Sequence, residues 1–118
     1  LIPNAGEARE LAGLDDPEEA ARALSRRAAT VVMTRGSDGA LIARGGEVVA
    51  EVPARRVEPV DTTAAGDTFT GVLVARLAAG DELRQAAWAA SVAASIAVTR
   101  PGASSSMPAW NEVRALLG

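Results

Sequence analysis

The sequence predicts an α/β protein: a layered sheet with helices, at least one edge of it antiparallel. Three observations carry this. Short apolar runs of strand type at residues 30–34, 40–44 and 48–53 alternate with helical patterns before and after them. The pair Gly45-Gly46 separates the last two runs, which is a hairpin signal. Leu1-Ile2-Pro3-Asn4 reads as the end of a further strand.

The elements follow in order. Residues 7–11 suggest a short helix. A second helix over about residues 16–28 is opened by Asp15, Asp16 and Pro17 and carries an apolar stripe of Ala20, Ala21, Ala23 and Leu24. Thr30-Val31-Val32-Met33-Thr34 is a buried-type strand, and residues 40–44 and 48–53 form the hairpin. A helix over residues 68–79 ends at Gly80. A long Ala-rich helix over residues 82–99 is stopped by Pro101-Gly102, and residues 108–117 close the chain as a helix with Pro108 near its first turn. Trp88 and Trp110 read as core or interface residues. Asp15, Asp16, Glu18 and Glu19 read as a solvated helix start, and Arg55 and Arg56 as an exposed strand end.

Composition bounds the chemistry. The chain has 118 residues, 48% hydrophobic and 23% charged, enough for one small domain with a core. The net charge of -3 and pI near 4.9 argue against a nucleic-acid partner. No apolar run is long enough to cross a bilayer, and the start carries no signal pattern, so the expectation is a cytoplasmic protein without a membrane partner. Cysteine is absent, which excludes disulfides and thiolate metal sites. Histidine is absent, which excludes imidazole catalysis and His-ligated zinc. All twelve basic residues are Arg, so a lysine-dependent phosphate loop is excluded as well. Catalysis must therefore run on carboxylates, hydroxyls, backbone amides and arginine.

The run Asp61-Thr62-Thr63-Ala64-Ala65-Gly66-Asp67-Thr68-Phe69 is the strongest signal. An Asp in a Gly-containing turn before a helix is, taken alone, more often a cap than a catalyst. A cap, however, needs only one polar side chain. It does not need Ala64, Ala65 and Gly66 all to be small, whereas close approach of a ligand to the backbone does. A helix starting at such a turn adds the positive end of its dipole, which suits an anion. Asp67 stands where a phosphate and a hydroxyl could meet, an arrangement suited to phosphoryl transfer.

Two weaker patterns accompany it. Asn4 and Glu7 stand three apart at a strand-to-helix turn, where a Glu in the first turn is ordinarily there for the dipole. Thr34-Arg35-Gly36-Ser37-Asp38-Gly39 follows a strand, where a plain turn is the default and a nucleotide loop the sharper reading.

The nine residues from Asp61 to Phe69 resemble, position by position, the second signature of the ribokinase (PfkB) family of carbohydrate kinases. Asn4-x-x-Glu7 and Thr34-x-Gly36 resemble two further motifs of that family. The resemblance covers nearly the whole chain and implies a ribokinase-like α/β/α layered fold, of which residues 1–118 would be the C-terminal, nucleotide-binding part, without the sugar-binding part and lid. It implies ATP-dependent phosphorylation of a sugar hydroxyl by the full-length enzyme, D-ribose to ribose 5-phosphate first, with the fragment alone inactive. Asp67 would be the general base, and the N–H groups of Ala64, Ala65 and Gly66 an anion hole.

On the same resemblance, Thr34, Gly36 and Gly39 would meet the nucleotide, and Ser91 would lie near the adenine. Asn4 and Glu7 would act on Mg2+ through water, which fits an ion that keeps several waters. Asp61 and Thr63, with carbonyls of Val98, Arg100 and Gly102 and an oxygen of Ser106, would hold K+. ATP, Mg2+ and K+ are the implied cofactors, a small sugar the implied partner, and a homodimer is open to the full-length protein. Arg35 departs from the apolar residue often found at its place. The alternatives are an isolated, non-catalytic nucleotide- or anion-binding module, and a kinase of fructose or 2-keto-3-deoxygluconate. A Rossmann-type domain lacks support, because no Gly-x-Gly-x-x-Gly follows a strand.

Overall fold

The computed structural model describes residues 1–62, 64–101 and 108–117. The chain divides into two compact units, Leu1–Pro53 and Ala54–Gly118.

The first unit is a small sheet under two helices. The strands β1 (Thr30–Thr34), β2 (Ala40–Arg44) and β3 (Glu47–Val52) run antiparallel in that order. The opening residues add a parallel neighbour to β1, as the sequence predicts. The carbonyls of Leu1 and Pro3 accept from the N–H groups of Val32 and Thr34, both at 2.9 Å, and Asn4 bridges to Thr34. The sheet is thus mixed, with its antiparallel edge at the hairpin. Gly45 and Gly46 both take positive φ, 60° and 88°, the twist a two-residue hairpin turn requires. A side chain at Gly46 would also run into Arg26, whose Nε would lie 2.7 Å from its Cβ. The register slips between Ile42 and Ala43, leaving exposed Val49 without an opposite number.

The helices α1 (Ala5–Ala12) and α2 (Pro17–Ser25) lay Ala8, Ala20, Ala21 and Leu24 on Val31, Met33, Leu41 and Ala43 of the sheet. Val32, Ile42 and Val52, on the opposite face, are buried too. Burial on both faces explains why β1 and β2 read as continuous apolar runs, while β3 alternates. Buried Ser25 ties α2 to the hairpin: its hydroxyl donates to the Arg22 carbonyl and accepts from Gly46 N–H at 2.8 Å.

The second unit is helical. Helices α3 (Ala65–Ala78) and α4 (Leu83–Ala97) form a hairpin turned by Gly80 at φ 100°, and α5 (Trp110–Ala115) packs on α4. Val92, Ala93, Ile96 and Val113 form its centre, with Trp88 packed against them. Trp110 is covered by the Arg76 guanidinium, 4.2 Å from the ring centre. Trp88 is thus a packing residue, as expected, whereas Trp110 stays exposed apart from its contact with Arg76. Several helix boundaries differ from the sequence reading, as where α2 stops at Ser25 and not at residue 28, and one of them bears on the site. Helix α3 begins at Ala65, not at residue 68, because Ala65, Gly66 and Asp67 form its first turn and do not precede it.

Candidate functional site

Two groups of expected site residues are formed, one in each unit. In the first unit, a cavity of about 380 Å3 is lined by Asn4, Gly6, Pro17, Thr34, Gly36 and Asp38, with Ala5 and Arg35 completing its wall. Asn4 and the pair Thr34 and Gly36, chosen from two sequence motifs, are brought together there. The parallel pairing of residues 1–4 with β1 does this, because it sets the ends of two strands side by side.

The loop after β1 has a built geometry. Residues Gly36–Asp38 form a single tight helical turn. Arg35 N–H donates to the Gly39 carbonyl at 2.7 Å, and Gly39 N–H to Gly36 at 3.1 Å. Gly36 at φ 57° and Gly39 at φ 83°, ψ -140° occupy backbone regions that favour glycine. The N–H groups of Gly36 and Ser37 find no acceptor among the described residues, so they remain available to an anion at the loop.

Asn4 and Glu7 form a reciprocal helix cap. Asn4 Oδ1 accepts from Glu7 N–H at 2.8 Å, and Glu7 Oε1 accepts from Asn4 N–H at 2.9 Å. The ordinary structural role of this pair is therefore present. It uses one carboxylate oxygen and leaves Oε2 outward on an exposed side chain. Among the described residues no three acidic side chains cluster as a metal cage, so a magnesium ion here would keep most of its water.

In the second unit, the start of α3 is bare. Ala64, its N-cap residue, gives no side-chain hydrogen bond. Ala65 N–H is taken by the Thr62 carbonyl at 3.2 Å, and the first helical bond is Thr68 N–H to Ala64 at 2.9 Å. Gly66 and Asp67 N–H find no acceptor among the described residues. Ala64 is buried, while Gly66 and the Asp67 side chain are exposed. A carboxylate and two amides with their dipole face outward from one helical turn. The Ala65 amide, expected in the anion hole, is instead committed to its own turn.

The cation expectations divide. Asp61 lies just before this turn, its N–H on the Val98 carbonyl. That carbonyl accepts from both Val60 and Asp61, at 2.6 and 3.0 Å. Both of its lone pairs are engaged, so Val98 straps residues 60–61 to the end of α4. Arg100 ends the same turn with its side chain 3.0 Å from Glu112. Thr63, Gly102 and Ser106 lie outside the described residues. Ser91 is 5% exposed on α4, one turn from Ser95, which accepts from Arg55 at 3.1 Å. Arg55 is thus fastened to a helix and is not a free strand end.

Arg35 is the residue whose role the sequence left open. Its Nη1 stands 3.4 Å from Glu51, and its Nη2 donates to the Asp38 carbonyl at 3.1 Å. The signal lay in its neighbours, since a cation at the start of a glycine loop and opposite an edge strand has few ways to turn.

Comparison with known proteins shows which family this chain belongs to. A family model described as pfkB family carbohydrate kinase matches residues 1–110. The chain is 41% identical over 95 residues to the ribokinase of Bacillus subtilis (strain 168), taking in 80% of this chain and 32% of that protein. The ribokinase structure from Thermotoga maritima matches with a TM-score of 0.90 at 37% identity, over 99% of this chain and 41% of that one. A fructokinase from Vibrio cholerae O395, in a fructose, ADP and calcium ion bound form, matches with a TM-score of 0.87 at 30% identity, over 99% and 40%. The chain spans about a third to two-fifths of the length of these proteins. It has the ribokinase-like fold of these structures and belongs to the pfkB family of carbohydrate kinases.

Proposed function

We propose that this chain is the C-terminal, nucleotide-binding part of a sugar kinase that transfers the γ-phosphoryl group of ATP to a hydroxyl of a small sugar, D-ribose being the leading substrate. The observation that carries the reading is the start of α3, where the Gly66 and Asp67 N–H groups find no acceptor among the described residues and stand beside an exposed carboxylate. Asp67 accepts the proton of the sugar hydroxyl as its oxygen bonds to phosphorus. The amides stabilise charge on the transferring group, and being fixed by the helix they need no rearrangement. A weak base is sufficient, because this chemistry demands little early deprotonation.

The cavity at Thr34 and Gly36 takes the nucleotide phosphates, with Mg2+ held through water by Glu7 and Asn4. A monovalent cation, K+ on our reading, sits beside Asp61. The bound ADP and calcium ion of the fructokinase relative support a nucleotide–metal pair in such a site. A kinase of fructose is the second reading, favoured by the likeness to that fructokinase.

The test is a coupled ATP-consumption assay of the intact enzyme against a sugar panel, with and without potassium. Asp67→Asn should lower kcat by about 10³-fold or more while ATP binding stays within about threefold. A near-normal rate for that variant removes Asp67 as the base.

A further inference from the structure

Among the residues lining the cavity, Arg35 is the only base and Asp38 the only acid. The chain has no lysine anywhere. A nucleoside polyphosphate in this cavity brings several negative charges, so Arg35 is the cationic side chain already at hand there.

Its present partners hold it loosely. The contact to Glu51 is long, 3.4 Å, and the Glu51 side chain is 64% exposed. Exposed pairs of that kind contribute little. The Arg35 Nε is buried and finds no acceptor among the described residues, which is a cost to this side-chain position. Turning towards a phosphate would trade a weak ion pair and an orphaned donor for charge-assisted hydrogen bonds in a two-pronged fork. The Asp38 carbonyl, 3.1 Å from Nη2, keeps the guanidinium at the cavity wall meanwhile.

We propose that Arg35 is a specificity-determining residue for the polyphosphate of the nucleotide, and that Glu51 competes with the phosphate for its guanidinium. This rests on the reading of the cavity as the nucleotide site. Arg35 then favours nucleoside di- and triphosphates over monophosphates. Glu51 restrains the side chain when the site is empty.

Isothermal titration of the intact protein with ADP and with AMP, in magnesium buffer, tests this on wild type, Arg35→Leu and Glu51→Gln. Arg35→Leu should weaken ADP about tenfold and AMP less than about twofold, since one charge-assisted contact to the outer phosphate is lost. Glu51→Gln should strengthen ADP by about twofold to threefold, because a competitor is removed. A purely structural clamp predicts instead that both variants weaken ADP together, and that result overturns the proposal. So does an Arg35→Leu variant that binds ADP normally or loses ADP and AMP equally. If Arg35→Leu fails to fold by circular dichroism, Glu51→Gln decides alone: tighter ADP supports the proposal, unchanged or weaker ADP overturns it. A wild-type protein that binds no ADP defeats the nucleotide reading itself. Normal wild-type binding with an indifferent Arg35 defeats only the present inference.

Discussion

Gly66 separates what the fold needs from what a ligand needs. It is the second residue of α3, and a Cβ built on it meets nothing within 4 Å. Gly46 differs: positive φ and the Arg26 side chain leave no room there. The fold therefore requires glycine at 46 but not at 66. Alanine is the better helix former by about 0.5–1 kcal/mol, so Gly66→Ala should hold or raise the melting temperature. If phosphate oxygens approach this backbone, the added methyl should still lower kcat/KM by about 10²-fold. A thermal melt beside steady-state kinetics reads both. Unchanged kinetics would show that nothing comes close to this turn. At this scale the sequence was legible where a glycine had no conformational excuse, as at Gly66, where a Cβ would meet nothing. It was illegible where hydrogen-bond direction decides. Val98 was expected to offer its carbonyl to a cation, but Val60 and Asp61 N–H groups already occupy it.

The elements were readable because their local chemistry agrees with their packing. Asp16 before Pro17 announces α2, and its carboxylate accepts from Glu19 N–H at 2.8 Å. Asp16→Ala should cost about 1 kcal/mol, read as a lower urea midpoint at unchanged slope. The start of α3 was misplaced because alanine and glycine serve equally as turn and as first helical turn. The turn from α3 to α4 was read from Gly80, but its lock was not. Arg76 gives Asp81 two hydrogen bonds, 2.8 and 3.1 Å, and also covers Trp110. Nothing in a linear pattern pairs one guanidinium with both. The hydrogen bonds from Arg76 hold the Asp81 carboxyl below its usual range, with charge attraction adding to them and burial opposing. A lowered folded pKa means that the stabilisation is complete above the unfolded value, about 3.9, and is lost as pH falls through the folded one. Asp81→Asn should therefore be less stable than wild type at pH 7, and the gap should narrow as pH falls below about 3.9. Denaturant midpoints measured from neutral to acid pH would show it, and a gap that does not change with pH would exclude the pair as its source.

For the whole molecule, charge and extent set the limits. A chain of net charge -3 without lysine gives a polyphosphate no general electrostatic attraction. On the proposed reading, binding would come from a few placed groups: amides of the loop after β1 and of the start of α3, Arg35 and a metal. Arg35 and that loop belong to the unit Leu1–Pro53, and Asp67 belongs to Ala54–Gly118. The family was legible because the short motifs that carry it are backbone-shaping residues, which sequence records directly. The sugar was not legible, since the cavity lined by Thr34 and Gly36 does not include Asp67. The Bacillus subtilis ribokinase relative has only 32% of its length matched by this chain, and the larger share lies beyond the alignment. If that share supplies the sugar contacts, the 118 residues alone can bind nucleotide yet cannot orient an acceptor hydroxyl. Orientation accounts for about 7–11 kcal/mol of barrier in well-placed reactions, so its loss abolishes measurable transfer. The isolated chain should thus bind ADP and show no ribose-dependent ADP release in a coupled assay. A longer protein that joins it to a sugar-binding segment should show both. Ribose-dependent turnover by the isolated chain would place the acceptor site within these residues and overturn the division of labour.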